Sequence, residues 1–188
     1  MKDKRFNPEK ANMLMRADRM KLLPPDQLIA HLDILPDDII ADLGAGNGYF
    51  AIPMAKKAKV VYAVDIEPKM LGMLKENADQ EQLENMKYVE SDLDKIQLAD
   101  ESVNKIMISL VLHEVPNIDQ TLDEIKRILK PGGQILVIEW EAVRTESGPP
   151  LHHRISSKEL AAALDNNGFN SEIIPYNPYY AVKAAVKR

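Results

Sequence analysis

Ile39-Ile40-Ala41-Asp42-Leu43-Gly44-Ala45-Gly46-Asn47-Gly48 is the stretch on which the reading of this chain turns. A short apolar run closed by turn residues is the pattern of a buried strand. Glycines at 44, 46 and 48 let the backbone turn sharply and approach a ligand closely. Tyr49 to Ala58 then reads as a helix, so the stretch predicts strand, tight turn, helix. Loops of this kind hold nucleotides in two ways. A dinucleotide site spaces its glycines G-x-G-x-x-G and sets pyrophosphate on the helix N-terminus. Here the spacing is G-x-G-x-G, and Tyr49 stands where the third dinucleotide glycine belongs. Asp42, near the strand end, would repel pyrophosphate and attract a ligand bearing an ammonium or sulfonium. The plainer alternative is a glycine turn with no ligand.

Outward from this loop, strands and helices alternate. Val60 to Val64 is a second β-branched run, closed by Asp65, and Pro68 opens a helix with Met70, Leu71, Leu74 and Ala78 at helical spacing. Met86–Val89 is a weaker strand before Ser91-Asp92, and Val103–Leu110 is a strong one. Asn117 is placed to cap a helix carrying Ile118, Leu122, Ile125 and Leu129, which Lys130-Pro131-Gly132-Gly133 stops. Gln134–Trp140 is a fifth strand, and residues 141–155 read as an irregular loop. Ser156 and Glu159 form a capping box for the next helix, ending at Asn167-Gly168. Phe169–Ile174 and Tyr179–Val186 look like a strand pair. On the amino-terminal side, Pro24-Pro25 suits a first helical turn, with Leu28, Ile29, Leu32 and Leu35 on its apolar face. The alternation predicts an α/β domain with a mostly parallel sheet and right-handed crossovers. Ligands of such sheets bind beyond the carboxyl ends of the strands. Gly44–Gly48, Asp65, Asp92 and Ser109–His113 all follow strands, so they are expected to converge on one edge.

Two acids sharpen the reading. Asp65 lies about 20 residues beyond the glycine loop, where a carboxylate accepts hydrogen bonds from ribose hydroxyls; a helix N-terminal charge is the alternative. Asp92 is placed to accept from an adenine amino group and Leu93 to pack on the ring, although a solvated turn aspartate has the same signature. His113, just past the fourth strand, is the candidate general base, against the plainer role of a hydrogen-bonding core histidine. His152, His153 and Arg154 sit in the loop after the fifth strand and are candidates for a substrate wall. No recognisable ligand spacing joins His113, Glu114 and the histidine pair, and no metal is expected.

Composition narrows the class. The 188 residues hold 24 Lys and Arg against 29 Asp and Glu, a net charge of −5, which does not suit a general nucleic-acid binder. The charge is uneven: residues 1–21 carry +4 and the rest −9. That basic segment, with Phe6, Met13, Met15 and Met20, is a candidate lid over the cleft; a solvated charged face is the alternative. The sequence has no cysteine, so thiol nucleophiles and thiolate metal sites are excluded. No run approaches the ~20 apolar residues of a membrane span. The N-terminus is charged and broken by Pro8 and does not read as a signal peptide, so a cytoplasmic protein is expected, its oligomeric state open.

These features together resemble the class I S-adenosylmethionine-dependent methyltransferases, nearest to the ubiquinone/menaquinone-biosynthesis-type small-molecule enzymes. The resemblance rests on Asp42 to Gly48, Val64-Asp65-Ile66 with Met70-Leu71, Ser91-Asp92-Leu93, Leu110 to Glu114, and Leu129 to Gly133. It implies a Rossmann-like, seven-stranded, mostly parallel sheet of order 3-2-1-4-5-7-6, strand 7 antiparallel, with helices on both faces. It implies one domain over 1–188: a helical extension at 1–35, a cofactor core at 36–140, and a substrate-side segment at 141–188. Gly44, Gly46 and Gly48 would line the methionine part of S-adenosylmethionine, and Asp42 and Ala45 would also bind the cofactor. Asp65 would hold the ribose, Ile66 and Met70 would pack near the adenine, Asp92 and Leu93 would read it, and Leu110 to His113 would face the sulfonium. S-adenosylhomocysteine would be the product. Ser109 to His113 lacks the Asn/Asp-Pro-Pro-aromatic motif of nucleic-acid amino methylation, and the missing cysteine excludes cytosine C5 and thiol-relayed arsenic methylation. The expected acceptor is a small molecule. The competing expectations are an NAD(P)-dependent oxidoreductase and a non-catalytic cofactor-binding protein of the same fold.

Overall fold

The computed structural model describes residues 21–187. The expected Phe6, Met13, Met15 and Met20 contacts of a lid lie outside the described residues. The chain runs α1 (Pro25–Ile29), a 3-10 turn (Ala30–Leu32), β1 (Ile39–Leu43), α2 (Ala51–Ala55), β2 (Val60–Asp65), α3 (Pro68–Gln80) and β3 (Met86–Glu90). It continues through β4 (Val103–Ser109), α4 (Ile118–Ile128), β5 (Leu129–Trp140), a 3-10 turn (Leu151–His153), α5 (Ser157–Asn166), β6 (Phe169–Tyr176) and β7 (Tyr179–Val186). The strands form one seven-stranded sheet of order 3-2-1-4-5-7-6. β3, β2, β1, β4 and β5 are mutually parallel, and β7 runs antiparallel between β5 and β6. This is the topology that the resemblance implied.

Each central strand serves two cores, because successive side chains point to opposite faces. Along β5, Leu136 and Ile138 join the face covered by α1, α2 and α3, while Ile135 and Val137 join the face covered by α4 and α5. Helix α4 begins where Asn117 accepts a hydrogen bond from the Gln120 N–H. Both halves of the Ser156–Glu159 capping box are formed at α5.

Three local expectations are corrected. The helix expected at Tyr49–Ala58 is only Ala51–Ala55, because Gly48, Tyr49 and Phe50 are consumed by the turn, with Gly48 N–H bonded to Ala45 O. Lys130-Pro131-Gly132-Gly133 does stop α4, but β5 already begins at Leu129: Leu129 pairs with Val103 and Gln134 with Lys105, so residues 130–133 bulge opposite Asn104. Leu35 is 61% exposed, because the helix ends before it and Asp33 takes a left-handed conformation.

Segment 23–38 is tied to the sheet by side chains. The Tyr49 hydroxyl donates to Leu23 O, Lys183 pairs with Asp33, and buried Lys105 reaches both Asp38 and the Asp33 carbonyl. Tyr49 is itself buried, so the place of a third dinucleotide glycine is filled by a core aromatic with its polar tip satisfied.

Candidate active site

The glycine loop hangs on the carboxyl end of β2. Gly44 N–H and Ala45 N–H both donate to Val64 O, at 2.8 and 3.0 Å. Gly44, Gly46 and Gly48 have φ of +75°, +55° and +96°, the left-handed region where a Cβ is strained. A side chain at Gly44 would also overlap Val111 Cγ2, so glycine here lets the segment after β4 close directly onto the loop. That segment is aimed by Leu110, whose φ of +59° bends the chain immediately after β4 while its N–H stays bonded to Ile138 O. A non-glycine residue held in this conformation costs about 1–3 kcal/mol and persists where its surroundings enforce it.

Asp65 joins loop and second strand. Its Oδ2 accepts from Gly46 N–H at 2.8 Å and its Oδ1 from Glu67 N–H at 2.9 Å. Each carboxylate oxygen has a further lone pair, so two more donors can be met. Burial pushes the Asp65 carboxyl above its ordinary range, and these two N–H groups pull it back. Asp42 is more deeply buried and is pushed up to about 7, first by desolvation and second by the charge of Asp65; a bond from the Ala51 backbone opposes the rise. Two acids thus stand close together with no cation among the causes of either shift. A ligand bearing positive charge would relieve both.

The Asp42 shift has a measurable consequence in the ligand-free protein. Its folded pKa lies above the unfolded value, so between about pH 4 and 7 the native state keeps a proton that the unfolded chain has released. Native stability therefore falls as pH climbs through this window. Asp42→Asn removes the cost of the charge while retaining an oxygen for Ala51. We expect its melting temperature to exceed the wild type's by several degrees at pH 8 and by little at pH 4. An equal offset at both values would reject the assignment.

The remaining candidates are placed as follows. Asp92 is exposed and accepts from Asp94 N–H at 3.3 Å, while Leu93 is buried. Between them and the sheet, the Ser91 hydroxyl lies 2.9 and 3.1 Å from the Asp92 and Lys95 carbonyls and accepts from Gln97 N–H, fixing the turn after β3. Ile66 is exposed and Met70 buried, so the two differ in access to a ligand. His113 lies at the end of the segment bent by Leu110, its ring 2.9 Å from the carboxylate of Glu139 on β5. Glu139 is fully buried and was not anticipated from sequence. The signal that could have found it is an acid inside the apolar strand Ile135-Leu-Val-Ile-Glu-Trp140, where a charge survives only with partners.

His152 is exposed and His153 half-buried, their rings edge-to-face at 4.3 Å. The structure gives Arg154 a different role from the expected substrate contact. Its guanidinium donates to the carbonyls of Pro149, Glu141, Val143 and Ser147 and to the Thr145 hydroxyl, which occupies all five N–H groups. It also stacks 4.8 Å over Trp140, which in turn packs on Tyr179. Arg154 therefore organises the loop after β5 from within. Arg154→Lys keeps the charge but loses the planar fork, and should speed tryptic cleavage after Arg144 severalfold; an unchanged rate would show that the loop holds its shape without it.

Among the described residues, no group of three or more His, Asp or Glu is arranged to hold a metal, and no helix is long and apolar enough to cross a membrane.

Comparison with known proteins places the chain. Residues 41–137 match the family described as a methyltransferase domain. An arsenite methyltransferase of Halobacterium salinarum is 29% identical over 156 residues, 74% of this chain and 39% of that protein. A ubiquinone/menaquinone biosynthesis C-methyltransferase UbiE of Hydrogenovibrio crunogenus is 33% identical over 142 residues, 73% of this chain and 51% of that protein. The chain thus spans about half the length, or less, of these curated relatives. A crystal structure of a SAM-dependent methyltransferase from Aquifex aeolicus superposes with a TM-score of 0.90 at 25% identity, covering 97% of this chain and 100% of that one. With its seven-stranded sheet and glycine loop, the chain belongs to the methyltransferase-domain family and resembles the UbiE-type members of the class I S-adenosylmethionine-dependent methyltransferases.

Proposed function

We propose that this protein transfers the methyl group of S-adenosylmethionine to a small-molecule acceptor by in-line displacement, mainly through positioning and exclusion of water. The observation that carries this reading is the junction of the glycine loop with Asp65, whose two oxygens brace the loop and the turn into α3 while keeping lone pairs for two hydroxyls. The residues present suit the cofactor. Asp42, Gly44, Ala45, Gly46 and Gly48 would cradle its methionine part, Asp42 offering negative charge to a cationic group. Asp65 would take the ribose hydroxyls. Ile66, Met70 and Leu93 would pack on the adenine, with Asp92 at its amino group and Leu110 near the sulfur. Bound there, the cofactor supplies a methyl already activated on a sulfonium, so alignment can contribute ~7–11 kcal/mol in favourable cases.

His113 is the candidate base. Where the acceptor must lose a proton as it takes the methyl group, the His113 imidazole would accept that proton, and the cofactor's sulfur would leave with the bonding electron pair. His152 and His153 remain candidates for the outer wall of the acceptor site. The likeness to an arsenite methyltransferase does not extend to thiolate chemistry here, since the sequence has no cysteine.

Calorimetric titration with S-adenosylmethionine and, separately, with NAD and NADP tests the cofactor. We expect binding of the first alone; binding of a dinucleotide without it would overturn the reading. Incubation with methyl-labelled cofactor and a small-metabolite extract tests turnover. Label entering a low-mass product is expected, and cofactor bound with no transfer to any fraction would favour the non-catalytic alternative.

A further inference from the structure

Glu139 is an acid in the middle of a buried sheet, paired in register with Tyr180 of β7, and its side chain is 0% exposed. Burying a carboxylate costs several kcal/mol unless hydrogen bonds replace its water. Three groups do so. His113 Nδ1 lies 2.9 and 3.1 Å from the two oxygens, His113 N–H donates to Oε1 at 3.3 Å, and Trp140 N–H donates to Oε2 at 3.2 Å. The pair therefore fixes both the ring and the backbone of residue 113. A buried carboxylate with its partner is not required for stability, since apolar residues of similar volume often serve as well. The segment that carries His113 is also the one bent by Leu110 and packed by Val111 on Gly44. The dyad is thus mechanically continuous with the glycine loop.

We propose that Glu139 is a positioning residue that holds the Nδ1–H tautomer of His113, so that the basic nitrogen of the ring is Nε2. An ionised carboxylate accepts only, so the ring nitrogen facing it must carry the hydrogen. The same logic orients the imidazole of hydrolytic triads, where the carboxylate also stabilises the imidazolium that forms. On the other side of the ring, Nε2 lies 3.7 Å from Glu114 Oε1, so a proton arriving there enters a second favourable field. Tyr180 supplies no competing charge: its hydroxyl donates to Ile155 O, and burial together with Glu139, Glu141 and Glu159 holds the phenol well above its ordinary range. For its catalytic consequence this proposal rests on the methyl-transfer reading; the tautomer itself does not.

The chain has four histidines, His31, His113, His152 and His153, few enough for direct assignment by nuclear magnetic resonance. Long-range proton–nitrogen spectra of uniformly nitrogen-15-labelled protein at pH 8 give the test, with His113→Gln identifying the His113 signals. The expected wild-type pattern is a protonated Nδ1 and an unprotonated Nε2. Glu139→Gln should lower the His113 titration midpoint by about one pH unit or more, tenfold weaker proton binding, and should mix the tautomers. Its affinity for S-adenosylmethionine should stay within about threefold. A wild-type ring protonated at Nε2 overturns the proposal even if the variant does not fold, and so does an unchanged midpoint in a folded variant. The expected tautomer in a protein that ignores S-adenosylmethionine would overturn the methyl-transfer reading and leave the dyad standing. Cofactor binding with the opposite tautomer would do the reverse.

Discussion

Asp65→Ala is expected to lower affinity for S-adenosylmethionine at least a hundredfold. Hydrogen bonds to a charged acceptor contribute about 1.5–3 kcal/mol each, and the ribose reading assigns two of them to this carboxylate. The truncation also strips Gly46 N–H and Glu67 N–H of their acceptor, so part of the loss reflects a loosened loop. Asp65→Asn separates the two contributions. Its single amide oxygen can still serve Gly46, but it cannot accept from Glu67 and two hydroxyls as well. The asparagine variant should therefore melt close to the wild type while binding the cofactor ~10-fold or more weakly. Calorimetry on both variants, with 2′-deoxy and 3′-deoxy cofactor analogues as controls, checks this. If wild type and Asp65→Asn lose the same affinity on removal of either hydroxyl, the carboxylate does not hold the ribose.

The placement of Asp65 beside the glycine loop was legible in the sequence because it depends on local spacing: a β-branched run, an acid at its end, and a glycine loop one strand earlier. The same holds for Asn117 and for Ser156 with Glu159, whose partners lie three residues away. Sheet order was not read from such spacing. It entered through family resemblance, and the parallel registers now account for the convergence of β1, β2 and β4 at one edge. What stayed hidden depends on contacts between distant segments. Glu139 and His113 are 26 residues apart and meet only because β4 and β5 are parallel neighbours. Arg154 was read with two histidines as part of a substrate wall, yet the loop folds back so that four of its carbonyls and the Thr145 hydroxyl use every donor. Lys130 to Gly133 read as a helix stop, which it is, but sheet pairing claimed Leu129, read as part of the helix face, and turned what followed into a bulge. Local pattern cannot register that competition.

The glycine loop offers the second large effect, and it tests how that loop and the segment after β4 are joined. Gly44→Ala adds a methyl group where φ is +75° and where Val111 Cγ2 already fills the space, with Val111 Cβ 3.1 Å away. The backbone strain is about 1–3 kcal/mol, and overpacking costs a similar amount. For a chain of this size each kcal/mol moves the melting temperature by roughly 2–4 °C, so a fall of about 5–15 °C is expected. The two costs differ in origin and are separable. Val111→Ala removes the Cγ atoms that clash but leaves φ untouched. The double variant Gly44→Ala/Val111→Ala should then be more stable than the sum of the single losses predicts, by about 1 kcal/mol or more, because the two side chains compete for one volume. Strictly additive losses would mean that backbone strain alone excludes alanine. The coupling reaches beyond stability, because Val111 sits two residues from His113. Pushing Val111 off Gly44 should displace the His113 ring from Glu139, so Gly44→Ala should disturb the His113 imidazole resonances and the double variant should restore them. A Gly44→Ala protein that melts early but keeps the wild-type His113 spectrum would show that the glycine loop and the dyad are mechanically independent.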